Sequence, residues 1–306
     1  MKIYVSKINE SWIVDRVRKE WVTHNKETHT RFISNADVVW ILAPWLWKKI
    51  PKKFLENKFI LCSIYHLDNS DNELKDFEER DKFVDYYHVI SNKTKQQIEN
   101  LTKKQIKSIP FWVDDNKFYN ITDKQSLRKD LGLNVNKFYV GSFQRDTEGS
   151  DLSSPKLIKG PDRFIKIIAG LYESNKNLEV ILTGKRRQYL ISELNKLKIP
   201  FKYFEMVNTE LLNKLYNILD LYIVTSRIEG GPQAIIECGI SNTPIISTDV
   251  GVAQEILSKN SIFEMSNFKE AKPDTEIAYK NSIKYNLRNG QILFKDMFNE
   301  IEKLFF

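Results

Sequence analysis

Short apolar runs separated by polar stretches of helical periodicity recur along the whole chain of 306 residues. Apolar runs at 2–8, 38–43, 59–65, 86–90 and 106–110 predict strands. A helix is predicted from residue 11, with Ile13, Val14, Val17, Trp21 and Val22 on one face. Further on the alternation is cleaner. Strands are predicted over 138–143, 178–183, 201–204, 221–225 and 245–248, with helices over 161–172, 188–197, 209–219, 233–240 and 253–257. Pro161 and Pro232 suit first helical positions, where a missing N–H costs nothing. In the tail, Phe294, Met297, Phe298, Ile301, Leu304 and Phe305 fall at helical spacing and predict a docking helix. Strand and helix in alternation predict an α/β protein with parallel sheets and crossover helices.

Composition divides this pattern in two. All six tryptophans and all four histidines precede residue 113, whereas all eleven glycines lie from Gly132 onward. The expected organisation is an N-terminal Rossmann-like domain over 1–115, a polar linker over 116–136 and a second Rossmann-like domain over 137–285. The final helix, 286–306, is expected to pack back toward the first domain. The longest apolar run, 38–47, is broken by Pro44 and is too short to span a bilayer. MKIYVSKINESW lacks the apolar core of a signal peptide. Cys62 and Cys238 sit far apart in apolar context and read as buried thiols in a reducing compartment, which points to the cytoplasm. A net charge of +7 favours an anionic partner: a nucleotide, a membrane surface or nucleic acid.

The densest candidate chemistry lies in SRIEGGPQAIIECGISNTPIISTDV. Glu229 and Glu237 bracket Gly230-Gly231-Pro232 at the carboxyl end of a predicted strand, where open α/β sheets bind ligands. Glu237 lies in an apolar helical turn, and a carboxylate there needs a partner because its desolvation is expensive. It reads either as a dipole-favoured acid near a helix start or as an acceptor for sugar hydroxyls. The two glycines leave backbone N–H groups open at that helix start, a natural anion site, or form a plain tight turn. Arg145 and Lys159 follow the strand ending GSF and are placed to neutralise a diphosphate, unless they are solvated surface charges. Lys185-Arg186-Arg187 also ends a strand, but a solvated helix start explains it equally well. His66 closes FILCSIYH and is as readily structural as catalytic. Trp45, Trp47, Lys48, Lys49, Lys52 and Lys53 suit either an anionic membrane surface or a buried Trp pair beside a solvated lysine face. The chain has no Walker loop, no G-x-G-x-x-G, no zinc spacing and no G-x-S-x-G elbow.

Taken together, GSFQR with a later LIKG, LTG after a strand, NTELLNKLYNILDLYIVTS and EGGPQAIIECGISNTPIISTDVG resemble glycosyltransferase family four (group 1), retaining enzymes of the GT-B fold. In the first half IYH and IPFWVD match more loosely. The resemblance implies two Rossmann-like domains facing a cleft and transfer of a sugar from a nucleotide sugar to a glycan or lipid-linked glycan. Carried over, Glu237 would accept ribose hydroxyls and Glu229 would lie near the donor sugar. Arg145 and Lys159 would bind the diphosphate with amides around Gly230, Gly231 and Gln233. Val207 would meet the base through its backbone, and His66 would stand near sugar and acceptor. His66, Lys159 and Glu229 would thus form the catalytic set, with no metal and no cofactor expected beyond the donor. Three departures stand out: EGGP replaces the common EGFG turn, TEGSDLSSPKLI lengthens the gap from Arg145 to Lys159, and Asn9-Glu10-Ser11-Trp12 replaces a glycine-rich loop. The competing functions are a GT-B epimerase or hydrolase, a non-catalytic nucleotide-binding module, and a DNA glucosyltransferase, the last disfavoured by the absence of a concentrated basic stripe. A peripheral contact with the inner face of an anionic membrane fits the Trp/Lys cluster.

Overall fold

In a computed structural model, which describes residues 1–8, 13–68 and 70–306, the chain divides into two compact units. Met1–Trp112 and Leu287–Phe306 form the first, Val113–Asn286 the second. The replaced loop Asn9-Glu10-Ser11-Trp12 lies outside the described residues.

The first unit begins with β1 (Ile3–Val5), α1 (Ile13–His24), β2 (Val38–Ile41), α2 (Lys52–Asn57) and β3 (Phe59–Ile64). It continues with α3 (Asp71–Asp81), β4 (Tyr86–Val89), α4 (Asn92–Ile98) and β5 (Gln105–Ser108). The five strands pair in parallel in the order β1-β2-β3-β4-β5. One more parallel bridge joins Ile3 to His29, with the Ile3 N–H donating to Thr28 O at 2.8 Å and the Thr30 N–H to Ile3 O at 3.0 Å. Residues 28–30 therefore flank β1 on the edge away from β2. The chain runs one way from β1 through α1 and then crosses back to β2, so the strand order reverses between β1 and β2.

Aromatic packing fills this unit. Trp21 of α1 meets Trp40 of β2 edge-on at 5.6 Å. Phe294 and Phe298 of the C-terminal helix lie 5.3 and 5.5 Å from the Trp40 ring. Such pairs are worth about 0.5–1.5 kcal/mol each beyond area burial. The helix approaches so closely at Gly290 that a Cβ there would lie 2.4 Å from Trp112 Cβ. A buried polar chain runs beneath: Trp40 Nε1 donates to Ser63 Oγ at 2.8 Å, and Ser63 Oγ lies 2.9 Å from His88 Nδ1. His88 Nε2 lies 2.7 Å from Ile109 O. Since a carbonyl only accepts, Nε2 carries the proton and Nδ1 accepts from Ser63. Burial pushes the His88 imidazole down to about 4, so it is neutral.

The second unit contributes α5 (Lys124–Asp130), β6 (Phe138–Ser142), α6 (Pro161–Ser174), β7 (Leu178–Thr183), α7 (Gln188–Lys196) and β8 (Phe201–Phe204). Then come α8 (Thr209–Ile218), β9 (Leu221–Val224), α9 (Gln233–Ile240), β10 (Ile245–Thr248), α10 (Ala253–Ile256), β11 (Ile262–Phe263) and α11 (Thr275–Ser282). α12 (Leu287–Phe305) belongs to the first unit. All strands pair in parallel in the order β11-β10-β9-β6-β7-β8, which reverses between β6 and β9.

Residues 116–136 are not a linker. Phe118, Leu127 and Leu133 enter the core of the second unit, and the segment holds α5. Its backbone is tied to α8, with Tyr119 N–H donating to Asn213 Oδ1 at 3.1 Å and Ile121 N–H to Asn217 Oδ1 at 2.6 Å. Arg128 locks α5 down through Ile218 O at 2.6 Å and Asp220 Oδ2 at 2.6 Å. The polar composition that reads as a linker is spent on these bonds. Pro232 is the residue before α9 and not its first, since the helix starts at Gln233. Among the described residues no helix is long and apolar enough to cross a membrane.

Candidate functional site

The reversal between β6 and β9 brings together the segments that follow those two strands. Lys159-Gly160 is riveted there by backbone contacts. Thr225 Oγ1, one residue past β9, donates to Gly160 O at 2.8 Å, and the Arg227 N–H donates to Ile158 O at 2.8 Å. Gln144, past β6, donates through Nε2 to Lys159 O at 2.8 Å. Gly160 adopts φ +66°, and a Cβ there would lie 1.9 Å from Thr225 O. Only glycine permits this turn against the strand end, and Pro161 then opens α6.

The turn aims Lys159 at Glu229, with Nζ donating to Glu229 Oε1. Ser226 Oγ adds a second donor to the same oxygen at 3.3 Å. The Gly230-Gly231 backbone approaches Gly251, where a Cβ would lie 2.3 Å from Gly230 O, with Gly251 at φ +50°. Gly251, three residues past β10 in STDVG, is a further residue of this turn that the motif Glu229–Glu237 does not include. Gln233 begins α9, so the glycine turn leads straight into a helix N-terminus. Glu237, one turn further along α9, is 6% exposed and accepts the Tyr216 hydroxyl at 2.9 Å. That phenol is pushed far up by burial and then by the Glu237 charge, so it remains a donor.

The other predicted residues fall in different places. Arg145 is exposed just past β6, and its Nε donates to Thr147 O at 2.8 Å. Val207 is half-buried in the loop after β8, before the α8 cap Asn208, and packs on the second unit's core. His66 follows β3 and belongs to the first unit. Of the triplet Lys185-Arg186-Arg187, Arg187 does not fit the solvated-helix-start alternative. It is fully buried, with Nε 3.1 Å from Asp146 Oδ2, and Nη2 donates to Ser142 O at 2.8 Å. Burial pushes the Asp146 carboxyl up to about 6, while the Arg187 guanidinium pulls it down.

The aromatic-basic cluster is split. Trp47 is buried and donates from Nε1 to Asp76 at 3.1 Å, and Lys48 ion-pairs with the same carboxylate at 2.8 Å. Lys52 pairs with Glu56 at 3.3 Å. Trp45 is 43% exposed, with its ring 6.1 Å from Tyr65. Of the buried Trp pair and solvated lysine face of the plainer reading, Trp47 is in the core and Lys48, Lys49, Lys52 and Lys53 are exposed, whereas Trp45 is not buried. Cys62 and Cys238 are both buried free thiols.

Two Rossmann-like α/β domains, each with a parallel sheet, define the GT-B architecture. Residues 154–289 match the family model of glycosyl transferases group 1. Among curated proteins, the lipopolysaccharide core biosynthesis mannosyltransferase LpsB of Rhizobium meliloti (strain 1021) is 24% identical over 156 residues. That match takes in 49% of this chain and 42% of the relative, so the chain spans well under half of the length of the curated relative it matches. Among solved structures, Anabaena HepE in complex with UDP and glucose superposes with a TM-score of 0.76 at 13% identity, covering 98% of this chain and 100% of that one. A glycosyltransferase from Rickettsia africae ESF-5 gives a TM-score of 0.66 at 18% identity, covering 98% and 84%. At these identities the structures speak for the fold.

Proposed function

We propose that the protein transfers a sugar from a nucleotide-sugar donor to a hydroxyl of a glycan or lipid-linked glycan, with retention of anomeric configuration, in polysaccharide biosynthesis on the cytoplasmic side of a membrane. The observation that carries this reading is the Lys159–Glu229 pair, held on a glycine turn at the β6/β9 reversal beside the start of α9.

In the reaction the bond from the anomeric carbon to the diphosphate oxygen breaks, and that oxygen leaves with the electron pair. The acceptor oxygen forms the new bond to the anomeric carbon, and its proton passes to the leaving phosphate. Charge therefore grows on the diphosphate. Lys159, Arg145 and the amides from Gly230 to Gln233 are the groups that would stabilise it, lowering the barrier and not merely improving binding. Without donor, Lys159 is occupied by Glu229. Donor binding would exchange that carboxylate for phosphate and leave Glu229 facing the sugar hydroxyls. Glu237 would accept ribose hydroxyls while Tyr216 fixes its orientation. Val207 would border the base, and His66 would serve the sugar and acceptor from the first domain. The chemistry asks for no cofactor and no metal if the cations and the helix start carry the charge.

The test is a thermal-shift panel of nucleotides and nucleotide sugars, followed by donor-consumption assays with and without candidate acceptors. Stabilisation by a nucleoside diphosphate and acceptor-dependent turnover with an unchanged anomeric centre are expected. Turnover at the same rate without acceptor would point to a hydrolase or epimerase. No stabilisation by any nucleotide would overturn the reading.

A further inference from the structure

The insert between Arg145 and Lys159 folds back on itself as a small hairpin. The Lys156 N–H donates to Asp146 O at 2.8 Å and the Glu148 N–H to Ser154 O at 3.1 Å, while Thr147 and Pro155 pair as an antiparallel bridge. Its base is docked on the end of β7. The Arg186 carbonyl accepts the Asp146 N–H at 3.1 Å and the Thr147 N–H at 3.3 Å, and Arg186 itself adopts φ 61°. A non-glycine residue in that region is held there against a cost. Beneath, the buried Asp146–Arg187 pair joins the hairpin to Ser142 at the end of β6. The hairpin is thus anchored at both strand ends beside the site, and its return arm delivers Lys156.

Lys156 sits directly before the one-turn helix that carries Lys159, with the Lys159 N–H donating to Lys156 O at 2.8 Å. It is half-buried and ion-pairs with none of the described carboxylates. Lys159 has Glu229, and Arg227 has Asp162 at 2.6 Å. Burial pulls the Lys156 ammonium below its usual range, the nearby charges of Arg145 and Lys159 pull it the same way, and Glu148 and Glu229 pull in the opposite direction. Arg145, Lys156 and Lys159 thus lie close along this short stretch, and of the three only Lys159 ion-pairs with a described carboxylate.

We propose that Lys156 is a third cation of the diphosphate subsite, so that the insert supplies a donor contact and does not merely separate Arg145 from Lys159. This rests on the nucleotide-sugar reading above. The leaving diphosphate is then met by cations from two arms: Arg145 on the outgoing arm of the hairpin, Lys156 and Lys159 on the return. Because the hairpin is held by backbone bonds and by Asp146–Arg187, the Lys156 side chain is replaceable without loss of the fold.

The experiment measures calorimetric affinities of Lys156→Met, Lys156→Arg and Lys159→Ala for UDP, UMP and uridine, with GDP, GMP and guanosine as a second series. Lys156→Met should lose about 10- to 100-fold for the diphosphate, less for the monophosphate and nothing for the nucleoside. Lys156→Arg should retain affinity, and the melting temperature of all three variants should match the parent within a few degrees. An equal loss for diphosphate and nucleoside would make Lys156 a structural residue and overturn the proposal. Unchanged diphosphate affinity in Lys156→Met, alongside a loss in Lys159→Ala, would overturn it while leaving the donor reading intact. A parent protein that binds none of the nucleotides would overturn both.

Discussion

At the reversal in the second sheet, the carboxyl ends of β6 and β9 are crowded with backbone. Gly160 presses on Thr225, Gly251 presses on Gly230, and lysines enter over that frame. At the reversal in the first sheet, the ends of β1 and β2 carry no glycine at all, since none precedes Gly132. There Ser6 Oγ accepts the Leu42 N–H at 3.0 Å, and the exposed Trp45 follows β2 against Tyr65. Strand order marks both places as ligand crevices by the same rule. The side chains then separate them: cations over a glycine turn suit phosphate, whereas an exposed aromatic face suits the apolar face of a sugar ring. Within the first sheet, burial keeps His88 neutral in the Trp40–Ser63–His88 chain.

The sharpest way to break this comparison is Lys159→Ala. Removing one charge-stabilising donor costs about 10²- to 10³-fold in turnover. Circular dichroism and melting temperature should be unchanged, because the turn is held by Gly160 and Thr225 and not by the lysine side chain. Near-normal kcat would sink the idea that the second reversal is the chemical one.

Next in size is a pH effect confined to the first unit. All six tryptophans precede residue 113, so their fluorescence reports unfolding of that unit. His88 titrates near 4 when folded, against about 6.5 for an unfolded imidazole. Between those values the unfolded chain binds a proton that the fold refuses, so stability is fully present above pH 6.5 and lost as pH falls toward 4. The loss is about 3 kcal/mol. Other groups titrate in this window, Asp146 with the opposite sign, since its carboxyl is raised and the fold holds its proton. The check is therefore the difference between parent and His88→Gln in urea melts at pH 7 and pH 4.5, followed by tryptophan fluorescence. An identical pH slope in both would show that His88 is not the buried neutral group described.

Strand positions were largely legible from the chain. β7, β8 and β10 coincide with the apolar runs at 178–183, 201–204 and 245–248, because each is a short run closed by glycine, proline or polar residues. What escaped was polar or relational. α5 and α11 carry too few apolar residues to show a face, and their hold on the fold comes from caps and side-chain bonds such as Asp123 to Ser126 N–H. Within the site, Glu229 beside Lys159 was anticipated as a shared location, but their direct bond was not. Gly251, Lys156 and the Asp146–Arg187 pair depend on which loops meet across strands, and a linear pattern does not encode that. Trp45 and Trp47 looked alike in APWLWKK, yet one is exposed and the other bonded to Asp76, a difference set by a helix 24 residues further on.

A smaller effect tests the aromatic side of the comparison. Trp45→Ala removes a ring that is 43% exposed and meets Tyr65 at 6.1 Å, so stability should fall only modestly. If the first reversal serves the acceptor, the acceptor KM should rise roughly threefold to tenfold, the range of one aromatic contact. Nucleoside diphosphate affinity should stay within twofold. A matching fall in nucleotide affinity would erase the division of labour between the two reversals.

The smallest effect concerns how Glu237 is aimed. Tyr216 is buried against Phe143 at 5.0 Å and Tyr222 at 5.5 Å, and its hydroxyl holds one Glu237 oxygen. Tyr216→Phe keeps the ring packing and deletes only that donor. A hydrogen bond to a charged acceptor contributes about 1.5–3 kcal/mol, but α9 still carries Glu237 to the same place, so part of this loss should fall on stability and part on binding. The expected result is a melting temperature lowered by a few degrees and a nucleotide affinity reduced roughly threefold. The distinguishing comparison uses nucleotides with ribose and with 2′-deoxyribose. If Glu237 meets the ribose hydroxyls, the variant should lose more affinity for the ribonucleotide and narrow the gap between the two. An equal loss for both sugars would mean that Tyr216 supports the fold around α9 and that Glu237 faces something other than the ribose.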